Sequence, residues 1–438
     1  MTMNPAMNID GERSGMDTQS STHTPAQDAD ANANANANAN AKSAMPSSSS
    51  PTDHARHSFL FGQHITHSLS PFLHQLIYEE LGLPWRQIRL DSSDVEGFVR
   101  RVRDDPACFG ASVTMPNKVA VLAYLDEVTA ECRDVGACNT VYVREEGPRD
   151  GDRDGTRDET REERAEERAG RAGLPRRILC GTNTDVVGIR EALRHSISPA
   201  DMRRLVQGRP ALVVGAGGAA RSAVYALRRW LPVGDIYLVN RDAGEVQSVM
   251  ADCCRGGYGS SLRHLATPED ARGPHTTPPA VVISCVPDLE PRTEEERLAC
   301  LITEELLQRR SSNSRGGSSS NNNNYNNNNN PDTCTRDDDL PRGLVLDMCY
   351  HPTPHTRLVA LASRLGWHVI LGTEPAIWQG LEQDRYWTGL PVEQMPLRKV
   401  QHAMREQVAQ RNNWTLHVAD NSDIRVPFWA NACGNLID

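Results

Sequence analysis

The stretch that decides the fold runs from residue 211 to residue 230 and reads ALVVGAGGAARSAVYALRRW. The apolar run Ala211–Val214 is typical of a short buried strand, and the residues after the glycines predict a helix that ends near Trp230. The glycines let the backbone approach a pyrophosphate, and the helix N-terminus stabilises its charge. A tight turn without a ligand is the alternative, but a glycine-rich turn between a strand and a helix favours dinucleotide binding.

This turn and the end of the next strand supply the predicted cofactor-binding residues. They are Gly215, Ala216, Gly217, Gly218, Ala219, Ala220, Asn240, Arg241 and Asp242. Arg241 suits a ribose 2′-phosphate, whereas Asp242 suits a free 2′-hydroxyl and repels a phosphate. Because Glu245 adds a second negative charge, the sequence favours NAD over NADP.

Composition divides the chain of 438 residues into folded and unfolded parts. Hydrophobic residues make up 38% and aromatic residues 5%, which is low for a chain that folds throughout. Three segments predict disorder: 1–57, the mixed-charge block 145–177, and the Asn-rich block 311–341. The remainder is long enough for two domains, and the tail 411–438 carries no readable motif.

The folded parts alternate between strand-like and helix-like patterns, so the fold class is α/β. Residues 58–144 predict a first α/β domain, in which Lys118–Leu125 reads as a helix. Residues 178–410 predict a Rossmann-type, doubly wound parallel sheet. Its further strands are Asp235–Asn240, Ala280–Cys285, Gly343–Asp347 and Trp367–Leu371.

Charge and cysteine usage exclude several classes of protein. A net charge of −10 argues against a nucleic-acid or anionic-membrane partner. No apolar run is long enough to span a membrane, and the N-terminus lacks the apolar region of a secretory signal. The eleven cysteines form no CxxC pair, which predicts no metal site and a reducing, cytoplasmic location.

Several polar turns carry residues that suit a small polar ligand. Ser68 and Ser70 lie where a helix begins, which suits a carboxylate ligand, although Ser70 before Pro71 also reads as an ordinary helix cap. Thr114 and Lys118 follow a predicted strand, and a lone lysine there is usually a surface charge. Further turns are GACNT at 136–140, GTNTDVVG at 181–188, DMCYHP at 347–352 and GTEPAIWQG at 372–380.

Taken in order, these motifs resemble the shikimate/quinate dehydrogenase family over about residues 61–410. The matching motifs are HSLSPxxH, SVTMPxK, GACNT, GTNTDxxG, GAGGAARS, NR, DxxYxP, WQG and YWTG. The resemblance implies an enzyme whose first domain binds the substrate. It implies reversible hydride transfer between a nicotinamide and ring carbon C3 of shikimate, or the equivalent carbon of quinate, with a small-molecule substrate, no nucleic acid and no membrane as partners, and it leaves the oligomeric state open.

The resemblance also assigns roles to individual residues. Lys118 and Asp185 match the catalytic pair, with the lysine moving a proton and the aspartate orienting it. The substrate-binding matches are Ser68 and Ser70 for the carboxylate, Thr114, Asn139 and Gln379 for ring hydroxyls, and Tyr350 for the wall of the site. Gly372 matches a residue whose backbone lies against the nicotinamide.

The chain departs from the family pattern at a few positions. Ser112 and Gln75 stand where many members have Asn, Pro375 replaces a common Met, and Asp242 stands where NADP-using members tend to carry Thr. Two other hypotheses remain open. One is a catalytically inactive relative that senses a ligand. The other is a two-domain dehydrogenase that acts on folate or an amino-acid semialdehyde.

Overall fold

The computed structural model describes residues 55–146, 175–309, 340–351 and 353–411. Most of the three segments with predicted disorder, and the tail after residue 411, lie outside these described residues. In the described part of the chain, no helix is both long enough and apolar enough to cross a membrane.

A mixed six-stranded sheet forms the N-terminal half, in the order β2-β1-β3-β5-β6-β4. Strands β1, β2 and β3 pair in parallel, whereas β5 is antiparallel to both β3 and β6. The parallel strands β3 and β6 therefore end at the same edge of the sheet, where β5 begins. The strands are β1 (Arg56–Gly62), β2 (Trp85–Asp91), β3 (Cys108–Val113), β4 (Glu127–Val128), β5 (Thr140–Glu146) and β6 (Arg176–Thr182).

The predicted boundaries of the first domain differ from these strands. Strand β1 begins at Arg56, inside the predicted segment 1–57. Strands β5 and β6 form a hairpin in which Glu146 pairs with Arg176, so both extend into the predicted block 145–177. Charged strand ends caused the misreading, because Arg177 pairs across the hairpin with Glu145. The hairpin also shows that β6 belongs to the first sheet, although the second domain was predicted to start at 178.

Three helices and one tighter turn accompany this sheet. The helices are α1 (Ser70–Glu80), α2 (Val95–Asp104) and α3 (Ala130–Val135). The helix predicted over Lys118–Leu125 is shorter in the structure, where Ala120–Tyr124 form a 3₁₀-helix. The reason is a tertiary contact: the carbonyl of Lys118 accepts a hydrogen bond from the backbone N–H of Cys138 at 2.7 Å, so it is engaged outside the helix.

The second sheet is parallel throughout and has the order β12-β11-β10-β7-β8-β9. This is the Rossmann arrangement, with the chain reversing direction beside β7. The strands are β7 (Ala211–Val214), β8 (Ile236–Val239), β9 (Leu262–His264), β10 (Val281–Ser284), β11 (Leu344–Asp347) and β12 (His368–Ile370). Five of the six were predicted within two residues at each end, whereas β9 was not predicted.

Helices cover both faces of this sheet. All four residues of β7, β8, β10 and β11 are buried, as expected for strands with a helix layer on each side. The helices are α4 (Asp185–Arg194), α5 (Pro199–Val206), α6 (Gly218–Trp230), α7 (Ala243–Arg255), α8 (Pro268–Arg272), α9 (Glu294–Gln308), α10 (Arg357–Arg364), α11 (Thr373–Thr388) and α12 (Leu397–Arg411). Helix α11 packs back on the first half of the chain, against α1, β3 and β5.

The β5–β6 hairpin yields a stability prediction. Because Glu146 and Arg176 are paired, the intervening segment can be replaced by a two-residue Asn-Gly turn without moving either strand. Each halving of loop length lowers the entropic cost of closure by about 0.6 kcal/mol, and the replacement is close to four halvings, so we expect the free energy of unfolding to rise by roughly 2 kcal/mol. Urea denaturation measures this change. A lower unfolding free energy together with reduced activity would show that the segment contributes to the fold, and would contradict its predicted disorder.

Candidate functional site

The glycine-rich turn between β7 and α6 has the geometry that a pyrophosphate needs. Gly215 has φ +113°, a conformation that side chains strongly disfavour. At Gly217, which caps α6 without any side-chain hydrogen bond, an added Cβ would meet no atom within 4 Å. The N-terminus of a 13-residue helix therefore faces open space. The residues present fit the pyrophosphate of a dinucleotide.

An ion pair between Lys118 and Asp185 lies next to this turn. Lys118 Nζ donates to Asp185 Oδ2, and the side chains are 17% and 1% exposed, respectively. A Cβ added at Gly218 would stand 3.2 Å from Cβ and Cδ of Lys118, so a larger residue there would press on the lysine side chain. Lys118 therefore connects the loop after β3 to the first turn of α6.

The amide of Asn139 fixes the carboxylate of Asp185 from the other side. Asn139 Nδ2 lies 2.8 Å from Asp185 Oδ1 and 3.0 Å from Gln379 Oε1. The orientation of this amide is set because Asn139 Oδ1 accepts from the backbone N–H of Thr184 at 2.7 Å. Four residues that the sequence singled out separately thus form one cluster at the edge where β3 and β6 end.

The two serines before and within α1 differ in their hydrogen bonds. Ser70 is the first residue of α1 rather than its cap, and its hydroxyl donates to Gln87 Oε1 at 2.7 Å. Ser68 Oγ accepts the backbone N–H of Ser70 at 3.2 Å, and we find no acceptor for its own proton among the described residues. Only Ser68 therefore keeps a hydroxyl proton for a ligand in this arrangement.

The remaining predicted site residues occupy the loops around this cluster. Thr114 packs on Gly62, where an added Cβ would lie 2.3 Å from Thr114 Cγ2. Tyr350 is half-buried beyond the end of β11. Gly372 precedes α11, and an added Cβ there would meet the carbonyl oxygens of Asp347, Met348 and Cys349, each at 2.7 Å. A side chain has no space at Gly372, so the backbone itself forms this surface.

At the predicted adenosine end, the side chains are engaged differently from the expectation. The Asp242 carboxylate accepts the backbone N–H groups of Gly244 and Glu245, and it thereby caps α7 instead of standing free for a ribose. Arg241 pairs with Glu296 of α9. Asn240 Nδ2 donates to Glu245 Oε2 at 2.8 Å. Glu296 was not predicted as part of this region.

Burial perturbs two groups close to the glycine turn. Burial raises the pKa of the Asp347 carboxyl at the end of β11 to about 6, against the opposing hydrogen bonds from Thr356 and from the N–H of Cys349. Burial also raises the pKa of the Cys285 thiol well above its usual range, and nearby carboxylates add to the effect. Cys285 therefore stays a neutral thiol at neutral pH.

Sequence analysis did not recognise that several buried polar residues behind the Lys118–Asp185 pair form one network. Gln383 stands at its centre and bonds to Ser112, His74 and Thr140. The sequence could have indicated Gln383, because it follows Gln379 by four residues on α11 and so lies on the same helix face. The full set is Gln87, Ser112, Thr140, His74, Gln383 and Asp384.

Comparison with known proteins agrees with this geometry. Residues 60–141 match the sequence profile described as the shikimate dehydrogenase substrate binding domain. A quinate dehydrogenase from Emericella nidulans is 36% identical over 377 residues, which covers 84% of this chain and 98% of that protein.

Two solved structures share the fold at lower identity. A quinate dehydrogenase from Corynebacterium glutamicum in complex with NAD aligns with a TM-score of 0.54 at 20% identity, covering 81% of this chain and 100% of that one. A shikimate 5-dehydrogenase from Thermus thermophilus in complex with NADP(H) and shikimate aligns at 0.51 and 24% identity, covering 81% and 99%. The likeness to the Emericella protein over nearly its whole length decides the family. The chain belongs to the shikimate/quinate dehydrogenase family and is an NAD(P)-dependent oxidoreductase.

Proposed function

We propose that the chain oxidises quinate reversibly at the hydroxyl equivalent to C3 of shikimate, with NAD as the preferred cofactor. The observation that carries this proposal is the Lys118–Asp185 pair, which Asn139 orients and which touches the glycine turn at Gly218. The choice of quinate is supported by the name of the Emericella relative. Shikimate remains the second substrate to test.

In the proposed reaction, Lys118 handles the proton of the reacting hydroxyl. In the oxidation direction, Lys118 Nζ first gives a proton of its ammonium group to water and then accepts the hydroxyl proton, while the C–O bond becomes a carbonyl and the hydrogen on carbon leaves with its electron pair. The nicotinamide, when bound, takes up this hydride. Since Lys118 is 17% exposed, its Nζ passes the proton on to water, while Asp185 keeps the amino group in position.

Binding of the substrate follows from the polar groups around this pair. The Ser68 hydroxyl at the start of α1 donates to the substrate carboxylate, and the helix N-terminus adds favourable charge. Ser70 acts through its bond to Gln87. Asn139, Gln379 and Thr114 offer amide and hydroxyl groups to the ring hydroxyls of a small polyol, and Tyr350 lines the site.

The inactive-sensor hypothesis is not favoured. It predicts the loss of at least one catalytic element, whereas Lys118, Asp185 and the open turn at Gly217 are all present in a consistent geometry. The folate or semialdehyde hypothesis is disfavoured by the substrate-domain match over residues 60–141.

A cytoplasmic location is part of the proposal. It is supported by the described cysteines, all of which are free thiols, as expected in a reducing compartment.

The catalytic roles lead to a kinetic prediction. Lys118→Ala and Asp185→Asn should each lower kcat by about a hundredfold or more, because a positioned proton-transfer group contributes in that range. Dinucleotide binding should persist, since neither side chain contributes to the open face of the turn at Gly217. Steady-state kinetics and fluorescence titration of the cofactor measure the two effects separately.

The matched control is Lys399→Ala, which removes an exposed lysine that pairs with Glu80. It should leave kcat within about twofold of the parent, as most exposed ion pairs contribute little. Near-normal turnover of the Lys118 variant would remove this lysine from the mechanism.

The preference for NAD rests on how the charges around Arg241 are balanced. Arg241 is 63% exposed and is the group best suited to grip a 2′-phosphate, but Glu296 already neutralises it. Glu296 is a fixed anion: hydrogen bonds from the N–H groups of Arg292 and Thr293, together with Arg241, lower the pKa of its carboxyl to about 2. The 2′-phosphate of NADP would therefore meet an arginine whose charge Glu296 already neutralises, next to the negative charge of Asp242. This arrangement favours NAD, which has no 2′-phosphate.

This charge balance predicts a change of cofactor preference. Glu296→Gln should raise the ratio of kcat/KM for NADP to that for NAD by no more than roughly fivefold, because exposed ion pairs are weakened by solvent. Glu295→Gln removes the same charge one residue earlier on α9 and serves as the control. Equal ratios in the two variants would show that Glu296 acts only through general charge, and NADP preference in the parent would contradict the proposal.

A further inference from the structure

A buried network of hydrogen bonds joins the two ends of the proposed substrate site. It begins at Ser70, whose hydroxyl donates to Gln87, and Gln87 Nε2 donates to Ser112 Oγ at 3.0 Å. Ser112 Oγ donates to Gln383 Oε1 at 2.9 Å. These groups lie behind the surface that meets the substrate, so the network supports this surface from within.

The second half of the network leads to the catalytic pair. Gln383 Nε2 donates to Thr140 Oγ1 at 3.1 Å, and Thr140 Oγ1 donates to Asn139 Oδ1 at 2.8 Å. Asn139 Nδ2 in turn reaches Asp185 Oδ1 at 2.8 Å. Each group from Ser70 to Asn139 therefore donates toward Asp185, and reversing one amide would interrupt this order.

Gln383 is the branch point of the network, and the orientation of its amide sets the direction in which the neighbouring groups donate. Its Oε1 accepts from Ser112 and lies 3.1 Å from His74 Nε2, while its Nε2 also reaches the carbonyl of Asn139 at 3.3 Å. All four hydrogen-bonding positions of the amide are thus used. The side chain is 4% exposed, so water cannot replace a lost partner.

The buried contact between His74 and Asp384 selects the orientation of this amide. His74 Nδ1 lies 2.8 Å from Asp384 Oδ2, and the two side chains are 1% and 0% exposed. With a proton on His74 Nε2, only the oxygen of the Gln383 amide can face it. Burying such a pair is expensive, and well-packed apolar residues are often as stable, so stability alone gives little reason for its presence.

We propose that Gln383 is a positioning residue, and that the His74–Asp384 pair sets its amide orientation and thereby orients Asn139 and Asp185. This role rests on the proposed function, because it acts on the catalytic pair of that reaction. Gln383 itself touches neither Lys118 nor Asp185, so its effect passes through Thr140 and Asn139.

Two variants test the role. Gln383→Met keeps the size of the side chain and removes all four hydrogen bonds. His74→Phe combined with Asp384→Leu replaces this pair by apolar groups and keeps a ring beside Trp387. Gln401→Met is the matched control, because Gln401 bonds only weakly to Glu374, at 3.4 Å, and lies outside the network.

The readouts are kcat, both KM values, the thermal midpoint and the kinetic isotope effect with substrate deuterated at the oxidised carbon. We expect both variants to lower kcat ten- to a hundredfold, the range for misplacing a catalytic group, and to raise the isotope effect on kcat. The KM of the cofactor should stay within twofold, and the double variant should melt within a few degrees of the parent.

A merely structural role would give a different pattern. If both variants lost activity only in proportion to the folded fraction, with an unchanged isotope effect and unchanged KM values, the proposal would be overturned. If Gln383→Met does not fold, the double variant decides by the same criteria. Failure of the proposed function can be told apart from failure of this positioning role, because only the former would appear as normal turnover in Lys118→Ala.

Discussion

The contact on which the site depends is the ion pair between Lys118 and Asp185. The topology of the first sheet makes it possible: β3 and β6 run parallel and end at one edge, and β5 begins there. The residues just beyond those strand ends, Lys118 and Asp185, therefore converge with Asn139, which precedes β5. Because Lys118 also contacts Gly218, the same pair joins the first sheet to the helix that follows the glycine-rich turn.

This arrangement constrains the residues behind it. A carboxylate that is 1% exposed needs partners for both oxygens, and Lys118 and Asn139 supply them. The side-chain amide of Asn139 needs partners in turn, and Thr140, Thr184 and Gln379 supply them. Such a polar core lowers stability unless every group is satisfied, and the surrounding apolar clusters on both sheets offset that cost.

Much of the fold was predictable because its signals are local. The apolar run Ala211–Val214, followed by glycines, predicts a strand and a turn into a helix. The structure has the strand at those residues. The misses come from contacts between residues distant in sequence. Lys118 does not begin a helix because its carbonyl bonds to Cys138, and the role of Glu296 depends on Arg241, 55 residues earlier. Asp242 shows a related limit. The sequence shows a carboxylate near the predicted ribose position, but it does not show that this carboxylate accepts the backbone N–H groups at the start of α7.

The central claim is that this site oxidises quinate with NAD. Its most direct test is a comparison of kcat/KM for quinate and shikimate, each with NAD and with NADP, at one pH and ionic strength. The account predicts the highest kcat/KM for quinate with NAD, and a lower value with NADP for both substrates. A higher value with NADP, or no turnover of either substrate with either cofactor, would contradict it.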